Sequence, residues 1–425
     1  MIAQLCEQFG IGGPVREAAL AAYEATATLT YEPQRRVHLN VLQAFIDEGL
    51  VESDFAGSTG YGYDDPARSR YESLLARVLG AERAIARLSI VSGTHAIIAA
   101  LAACTPPGRA LLSISGTPYD TLRNAICDAP HALVRQGISY REIALDRSGA
   151  IDLPAVEDAL AQIGDATIFI QRSRGYAPRR SLCLQECERA IRTIKKIAPS
   201  ADVLVDNCYG ELVEEREPLH AGADLVMGSL IKNLGGSVAP AGAYVAGSAQ
   251  LVERVAARLY APGLGTSLGP SLGFGRELCQ GLFLAPLIVE QSLRGLDFTA
   301  ALFEALGYVV DPKPGERRTD IVQAIRLGST ESLVRFAAGL QAAMPVNAGF
   351  RPEPGSVPGY AQPVIMSSGA FVSGATIELS CDAPMRPPFE VYVQGGVSVA
   401  HAYLGALFAA RACEASDYSG FSEPR

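Results

Sequence analysis

Two short apolar runs, each closed by a polar residue, mark the middle of the chain. Val203, Leu204 and Val205 lead to Asp206; Leu225, Val226 and Met227 lead through Gly228 and Ser229 to Lys232. Unbroken apolar runs of this length predict strands covered on both faces, as in a parallel sheet between helices. Comparable runs begin at Ala110 and Thr167, strand-like pieces lie near ISYREIAL from Ile138, and SVAPAGAYVAG after Lys232 predicts a returning strand. Helical spacing occupies the intervals: residues 14–30, Leu153 to Ile163, the stretch after Cys183, and a segment from His38 with apolar Leu39, Leu42, Phe45, Ile46 and Leu50. Strands alternating with helices predict an α/β fold with a mostly parallel central sheet. Helices between Leu278 and Leu306 then lead to VQAIRLG and GATIELSCD, read as strands of a smaller α+β domain.

Leu88 to Gly108 contains no charged residue, a length near the ~20 residues of a membrane span. Ser92, Gly93, Thr94 and His95 interrupt it early and Thr105-Pro106-Pro107-Gly108 closes it, so a buried helix entered from a glycine turn is expected. A helix start of this kind offers free N–H groups and a positive dipole end, which suit a phosphate; Gly93 and Thr94 are the candidates. His95 is either an acid–base group or, as favoured here, a structural residue.

Asp206 and Lys232 close neighbouring strands, and ligands of open α/β sheets gather outside strand carboxyl ends. Together they suit pyridoxal phosphate chemistry: the lysine forms an imine with the cofactor aldehyde, and the carboxylate keeps the pyridine nitrogen protonated so that the ring can take up electrons. The plainer alternative is a strand-end Asp capping a turn and a surface lysine. Ser229 is placed to donate its hydroxyl to the phosphate or to cap locally. Arg172 and Arg174, delivered to the same edge by TIFIQRSRGY, either clamp an anion or are solvated loop charges.

GSLIKNLGG, preceded by VLVDNCYGE, resembles the methionine gamma-lyase-like, or aluminium resistance, family of fold type I pyridoxal phosphate enzymes. Further matching strings are GYGYDDPAR from Gly60, VSGTHAI from Val91, GTPYDTL from Gly116, QRSRGY from Gln171, RTDIVQAI from Arg318, PGYAQPVIMSSGAF from Pro358 and GATIELSCDAPMRPP from Gly374. The resemblance covers roughly residues 50 to 400 and implies two main domains: an N-terminal helical arm at 1–50, a large cofactor domain at 51–285 and a small C-terminal domain at 286–425. It implies that Tyr119 stacks on the cofactor ring and protonates a leaving sulfur, that Tyr61, Tyr63 and Arg68 reach a partner's cofactor phosphate, and that Arg386 binds the substrate carboxylate. The loop from Tyr260 is a weaker candidate for phosphate contacts. Ala67 and Leu234 depart from the glycine and proline expected of the family.

The implied reaction is β- or γ-elimination from a sulfur-containing amino acid by a homodimer or homotetramer. An aminotransferase or γ-replacement synthase shares the same frame, and a non-catalytic cofactor-binding protein is a further alternative. A net charge of −9 with scattered arginine and lysine pairs argues against nucleic-acid binding. Nine cysteines, an odd number, and an N-terminus without a signal-peptide pattern lead to an expected cytoplasmic location. Cys183 and Cys187 share a helix face without further metal ligands nearby, so no metal is expected, and the polar end EASDYSGFSEPR is expected to be peripheral.

Overall fold

Seven strands form one mixed sheet in the computed structural model, which describes residues 1–415. In chain order they are β1 (Arg83–Arg87), β2 (Ala110–Ser113), β3 (Ser139–Glu142), β4 (Ala166–Gln171), β5 (Asp202–Asp206), β6 (Leu225–Ser229) and β7 (Ala243–Gly247). Their spatial order is β1-β7-β6-β5-β4-β2-β3. The run from β6 to β3 is parallel, and β7 is antiparallel to both β6 and β1. Every residue of β4 and β6 is buried, which is why these segments are apolar without alternation. The register pairs Gln171 with Asp206 and Asp206 with Met227, bringing the carboxyl ends of β4, β5 and β6 to one edge.

This sheet belongs to a unit spanning Pro33–Pro286. The uncharged segment after β1 forms the helix Gly93–Cys104, whose Ile97, Ala100 and Leu101 are in the core. Among the described residues no helix is long and apolar enough to cross a membrane. The helix Glu32–Glu48 buries Val37, Val41, Ala44 and Glu48, whereas Leu39, Leu42 and Ile46 of its apolar stripe are 64%, 43% and 63% exposed. Glu48 tolerates burial because Arg70, Ser73 and Arg77 all donate to its carboxylate, and those bonds outweigh desolvation and lower its pKa.

A second unit combines Met1–Glu32 with the chain from Leu287 onward. The first fifty residues are thus shared between the two units. This unit carries the antiparallel strands β8 (Val309–Asp311), β9 (Val322–Arg326), β10 (Val364–Ser368), β11 (Ser380–Pro384) and β12 (Glu390–Gln394), in the order β10-β11-β12-β9-β8. The helices Thr330–Gln341 and Val399–Glu414 belong to it as well. GATIELSCD forms a strand only from Ser380. Before that the Glu378 carboxylate accepts the Phe371 N–H at 2.9 Å and holds the chain in turns. The part of the terminal segment beyond Ala415 lies outside the described residues.

Candidate active site

The carboxyl edge of β4, β5 and β6 collects most of the polar residues singled out in the sequence. Asp206, the last residue of β5, is 4% exposed. One of its oxygens accepts the Cys208 N–H at 3.1 Å. Burial raises its pKa, against the pull of Lys232, Cys208 and Arg179. Beyond β6, Lys232 is half-buried, with its Nζ 3.9 Å from the centre of the Tyr209 ring. Burial disfavours its ammonium, but Cys208, Tyr209 and Asp206 outweigh that and hold its pKa well above the usual lysine value.

Tyr209 reaches Lys232 through an unusual backbone. Its φ is +71° and that of Leu212 is +61°, left-handed conformations that cost a non-glycine residue roughly 1–3 kcal/mol each. The loop is held there by side-chain bonds. Asn233, next to Lys232, donates to the Tyr209 carbonyl at 3.0 Å and the Glu211 carbonyl at 2.8 Å. Arg172 donates to the Asn207 side chain at 2.8 Å and the Gly210 carbonyl at 3.1 Å.

The helix Gly93–Cys104 opens against this loop. Ser92 caps it by accepting the His95 N–H at 3.1 Å. The N–H groups of Gly93 and Thr94 therefore precede the first intrahelical bond, from Ala96 to Ser92, and remain available to a ligand. A Cβ on Gly93 would lie 3.3 Å from the Cys208 sulfur and 3.6 Å from Ser229, which puts the helix start beside the buried end of β6. The Thr94 hydroxyl is 2.7 Å from the Tyr119 hydroxyl. Gln171, at the end of β4, fixes Tyr119 by accepting its N–H at 2.9 Å. Burial first, then the nearby Asp206, raises the pKa of the Tyr119 phenol, so it stays protonated at neutral pH.

Gly93, Thr94, Tyr119, Asp206, Ser229 and Lys232 thus share one edge. His95 is exposed and is not packed beneath that edge. Arg172 serves the scaffold: it is 1% exposed and forms a buried ion pair with Glu214, so its guanidinium is committed to the protein and does not clamp a ligand. Arg174 is also buried, with its N–H bonded to Ser181 at 3.1 Å. Arg68 is 7% exposed and donates to the Gly62 and Gly269 carbonyls of its own chain. It ties the glycine–tyrosine loop to the loop after Tyr260, which explains why Gly62 cannot carry a Cβ: one would lie 2.4 Å from Pro270 N. Asp65 completes that tie by accepting from Ser58, Arg68 and Ser271. Burial opposes its ionisation, but these bonds prevail and lower its pKa to about 2. Tyr61 and Tyr63, in contrast, are 76% and 58% exposed. Arg386 belongs to the second unit, half-buried on the turn after β11, where its N–H donates to the Pro384 carbonyl at 2.7 Å.

Sequence reasoning placed Gln171 at this edge without a role and missed Arg179, Cys208, Tyr209, Glu211 and Asn233. For Cys208, Tyr209 and Glu211 the signal was the string DNCYGE, which is too polar for the covered loop it forms unless its members have assigned partners. Of two surface clefts, one of about 730 Å³ is lined by Tyr63 and Arg68 together with Arg83 and Thr266, and one of about 540 Å³ by Asn40 and Glu215 among others. Among the described residues no three His, Cys, Asp or Glu side chains are grouped to hold a metal.

A family model described as methionine gamma-lyase matches residues 15–413. An uncharacterized protein of Bacillus subtilis, YnbB, is 44% identical over 374 residues, covering 87% of this chain and 89% of that one. A crystal structure from Clostridium acetobutylicum, provisionally named a cystathionine beta-lyase involved in aluminum resistance, is 38% identical with a TM-score of 0.92, covering 97% and 98% of the two chains. Another, named a carbon-sulfur lyase involved in aluminum resistance from Clostridium novyi, is 36% identical with a TM-score of 0.90, covering 96% and 98%.

Proposed function

The chain belongs to the methionine gamma-lyase family, and from that premise we propose that it is a carbon–sulfur lyase acting on a sulfur-containing amino acid. Its fold is that of the fold type I pyridoxal phosphate enzymes, and its cofactor is pyridoxal 5'-phosphate. The residues at the sheet edge fit that group. A buried carboxylate suits the pyridine nitrogen, a half-buried lysine suits the aldehyde, and the open helix start with the Ser229 hydroxyl suits the phosphate. When bound, the cofactor supplies an electron sink that makes the substrate Cα proton acidic.

The observation that favours a lyase is the protonated Tyr119 phenol, 2.7 Å from Thr94 and on the same edge as Lys232. Lys232 would hold the cofactor covalently through its amine and, with that amine free, would take the substrate Cα proton. Tyr119 then gives its proton to the departing sulfur, so that a thiol leaves and hydrolysis yields ammonia and an oxo acid. For a leaving group on Cγ, the same amine carries a second proton from Cβ. Positioned proton transfers of this kind contribute about 10²–10⁴-fold each. Asp206 would hold the ring nitrogen, and Tyr209 packs against the Lys232 nitrogen. For the substrate carboxylate the candidate is Arg386, whose planar guanidinium suits a two-oxygen anion. A second copy of the chain is the expected partner: Tyr61 and Tyr63 project outward, as do Leu39, Leu42 and Ile46, and apolar rows of this kind favour association.

The test is the visible absorbance of the purified protein, recorded before and after separate additions of cystathionine, methionine and cysteine, with Lys232→Ala as control. The expected result is a cofactor band that is lost in the variant and perturbed by a substrate that yields ammonia and oxo acid. Oxo acid without ammonia would make the enzyme an aminotransferase, and product formed only with a second nucleophile would make it a replacement synthase. No band with added cofactor would refute the assignment of Lys232.

A further inference from the structure

The loop after β5, which meets Asn233 beside Lys232, carries an acid that the lyase reaction does not use. Glu211 is 0% exposed. Its Oε1 accepts the Tyr244 hydroxyl at 2.9 Å, and its Oε2 is buried without a hydrogen-bond partner. The space for this pair exists because residue 228 has no side chain. Gly228 of β6 pairs with Tyr244 of β7, and a Cβ there would lie 2.5 Å from Glu211 Oε1 and 2.6 Å from the Tyr244 ring. The next residue of β6 is Ser229, and Lys232 follows three positions later. On the other side Asn233 holds the Glu211 carbonyl at 2.8 Å, so one short segment fixes both Lys232 and Glu211.

A carboxylate with one oxygen unsatisfied in a covered space is costly, whereas a neutral acid with a single phenol partner is tolerated. The titratable groups around it do not change that balance. Tyr244 donates from β7, Glu217 and Cys208 lie on the loop after β5, and Lys232 after β6 is a cation acting on the acid. The charge of Glu217 is itself engaged by Arg172 and by bonds from Asn207 and Leu212. Burial, reinforced by Glu217 and opposed by its own backbone N–H, by Tyr244 and by Lys232, brings the Glu211 pKa to about 8.

We propose that Glu211 is a positioning residue for Lys232: an acid kept neutral by its covered setting in the space left by Gly228, with one oxygen unpartnered, whose ionisation adds a negative charge that retains the proton on the lysine nitrogen. This rests on Lys232 being the cofactor-linked lysine. Ionisation moves one proton from Glu211 to solvent, with no other bond made or broken. The residue thereby sets the alkaline limit within which Lys232 gives up a proton and can act as a base.

Two measurements test this, with Glu211→Gln and Tyr244→Phe beside the native chain. The first follows the thermal midpoint of the cofactor-free protein between pH 5 and 9. An acid whose folded pKa lies above its unfolded value favours folding at low pH and loses that advantage as pH rises through the window between the two values. The native midpoint therefore falls across that window by one proton's worth more than that of Glu211→Gln. In Tyr244→Phe the carboxylate loses its donor, and the fall extends to higher pH. Identical slopes in the native chain and both variants would overturn the proposal. The second measurement titrates the cofactor band of the loaded protein. Glu211→Gln should keep the band at pH 7 and shift its alkaline transition downward by about half a pH unit, or threefold in proton affinity, since opposite charges in direct contact shift pKa by more. An unshifted transition would overturn the link to Lys232 alone. Absence of a band in the native protein would remove the lysine assignment and this proposal with it, while the first measurement would still report whether Glu211 holds a proton.

Discussion

Replacing Arg172 with alanine tests whether this arginine is scaffold or ligand clamp. In the native chain its guanidinium pairs with Glu214, which is 4% exposed, and also donates to Asn207 and Gly210. After the replacement Glu214 keeps the Leu184 N–H at 2.8 Å but loses its counter-charge. Removing one partner of a buried pair costs about 3–5 kcal/mol, because the other charge is left uncompensated. For a unit of this size that corresponds to a fall in the melting midpoint on the order of 10 °C. The loop from Asn207 to Leu212 would loosen as well, so that Tyr209 is held less firmly beneath Lys232 and cofactor affinity falls. Thermal and urea unfolding of the cofactor-free protein measure the first effect, and a cofactor titration the second. In a double-mutant cycle, Arg172→Ala with Glu214→Ala should be less damaging than the sum of the single changes, since no lone charge remains. An unchanged midpoint together with a raised KM would falsify this assignment and return Arg172 to the substrate.

Three further outcomes are expected. Gly228→Ala drives a methyl into Glu211 and Tyr244 and should destabilise the protein by about 1–3 kcal/mol, read by urea midpoint; a neutral effect would mean that the pair has room to move. Tyr119→Phe should retain the cofactor band and lose about 10²–10⁴-fold in turnover if its hydroxyl protonates the leaving sulfur; full turnover would assign that proton to another group. Ser92→Ala removes the cap on His95 N–H and should cost about 0.5–2 kcal/mol of stability, checked by thermal midpoint; no change would show that solvent or a neighbouring group replaces the cap.

The apolar runs before Asp206 and Ser229 were sufficient to predict strands, because burial on both faces leaves no place for alternating polar residues. Once those strands are parallel neighbours, both ends fall on the same edge, so the placing of Asp206 beside Lys232 followed from local pattern and the rule for open sheets. Gly93 and Thr94 were legible for a similar reason: a cap and a glycine open a helix, and the helix start has the same free N–H groups in any fold.

The uses of the arginines were decided by tertiary structure. Arg172 meets a carboxylate 42 residues away, and Arg68 meets a carbonyl 201 residues away. A guanidinium serves any acceptor that the fold brings to it, and its own neighbours in sequence do not name that acceptor. The same holds for the helix Glu32–Glu48, where the leucine and isoleucine stripe faces outward and a glutamate is buried. Its pattern is compatible with either face, and the three donors that make Glu48 tolerable lie on another helix. Sequence by itself determined the buried central strands, the helices between them and the residues that stand at their ends, because backbone geometry and burial act over a few residues. Tertiary structure alone decided which charges neutralise one another and which remain for a ligand, because that depends on groups brought together from distant parts of the chain.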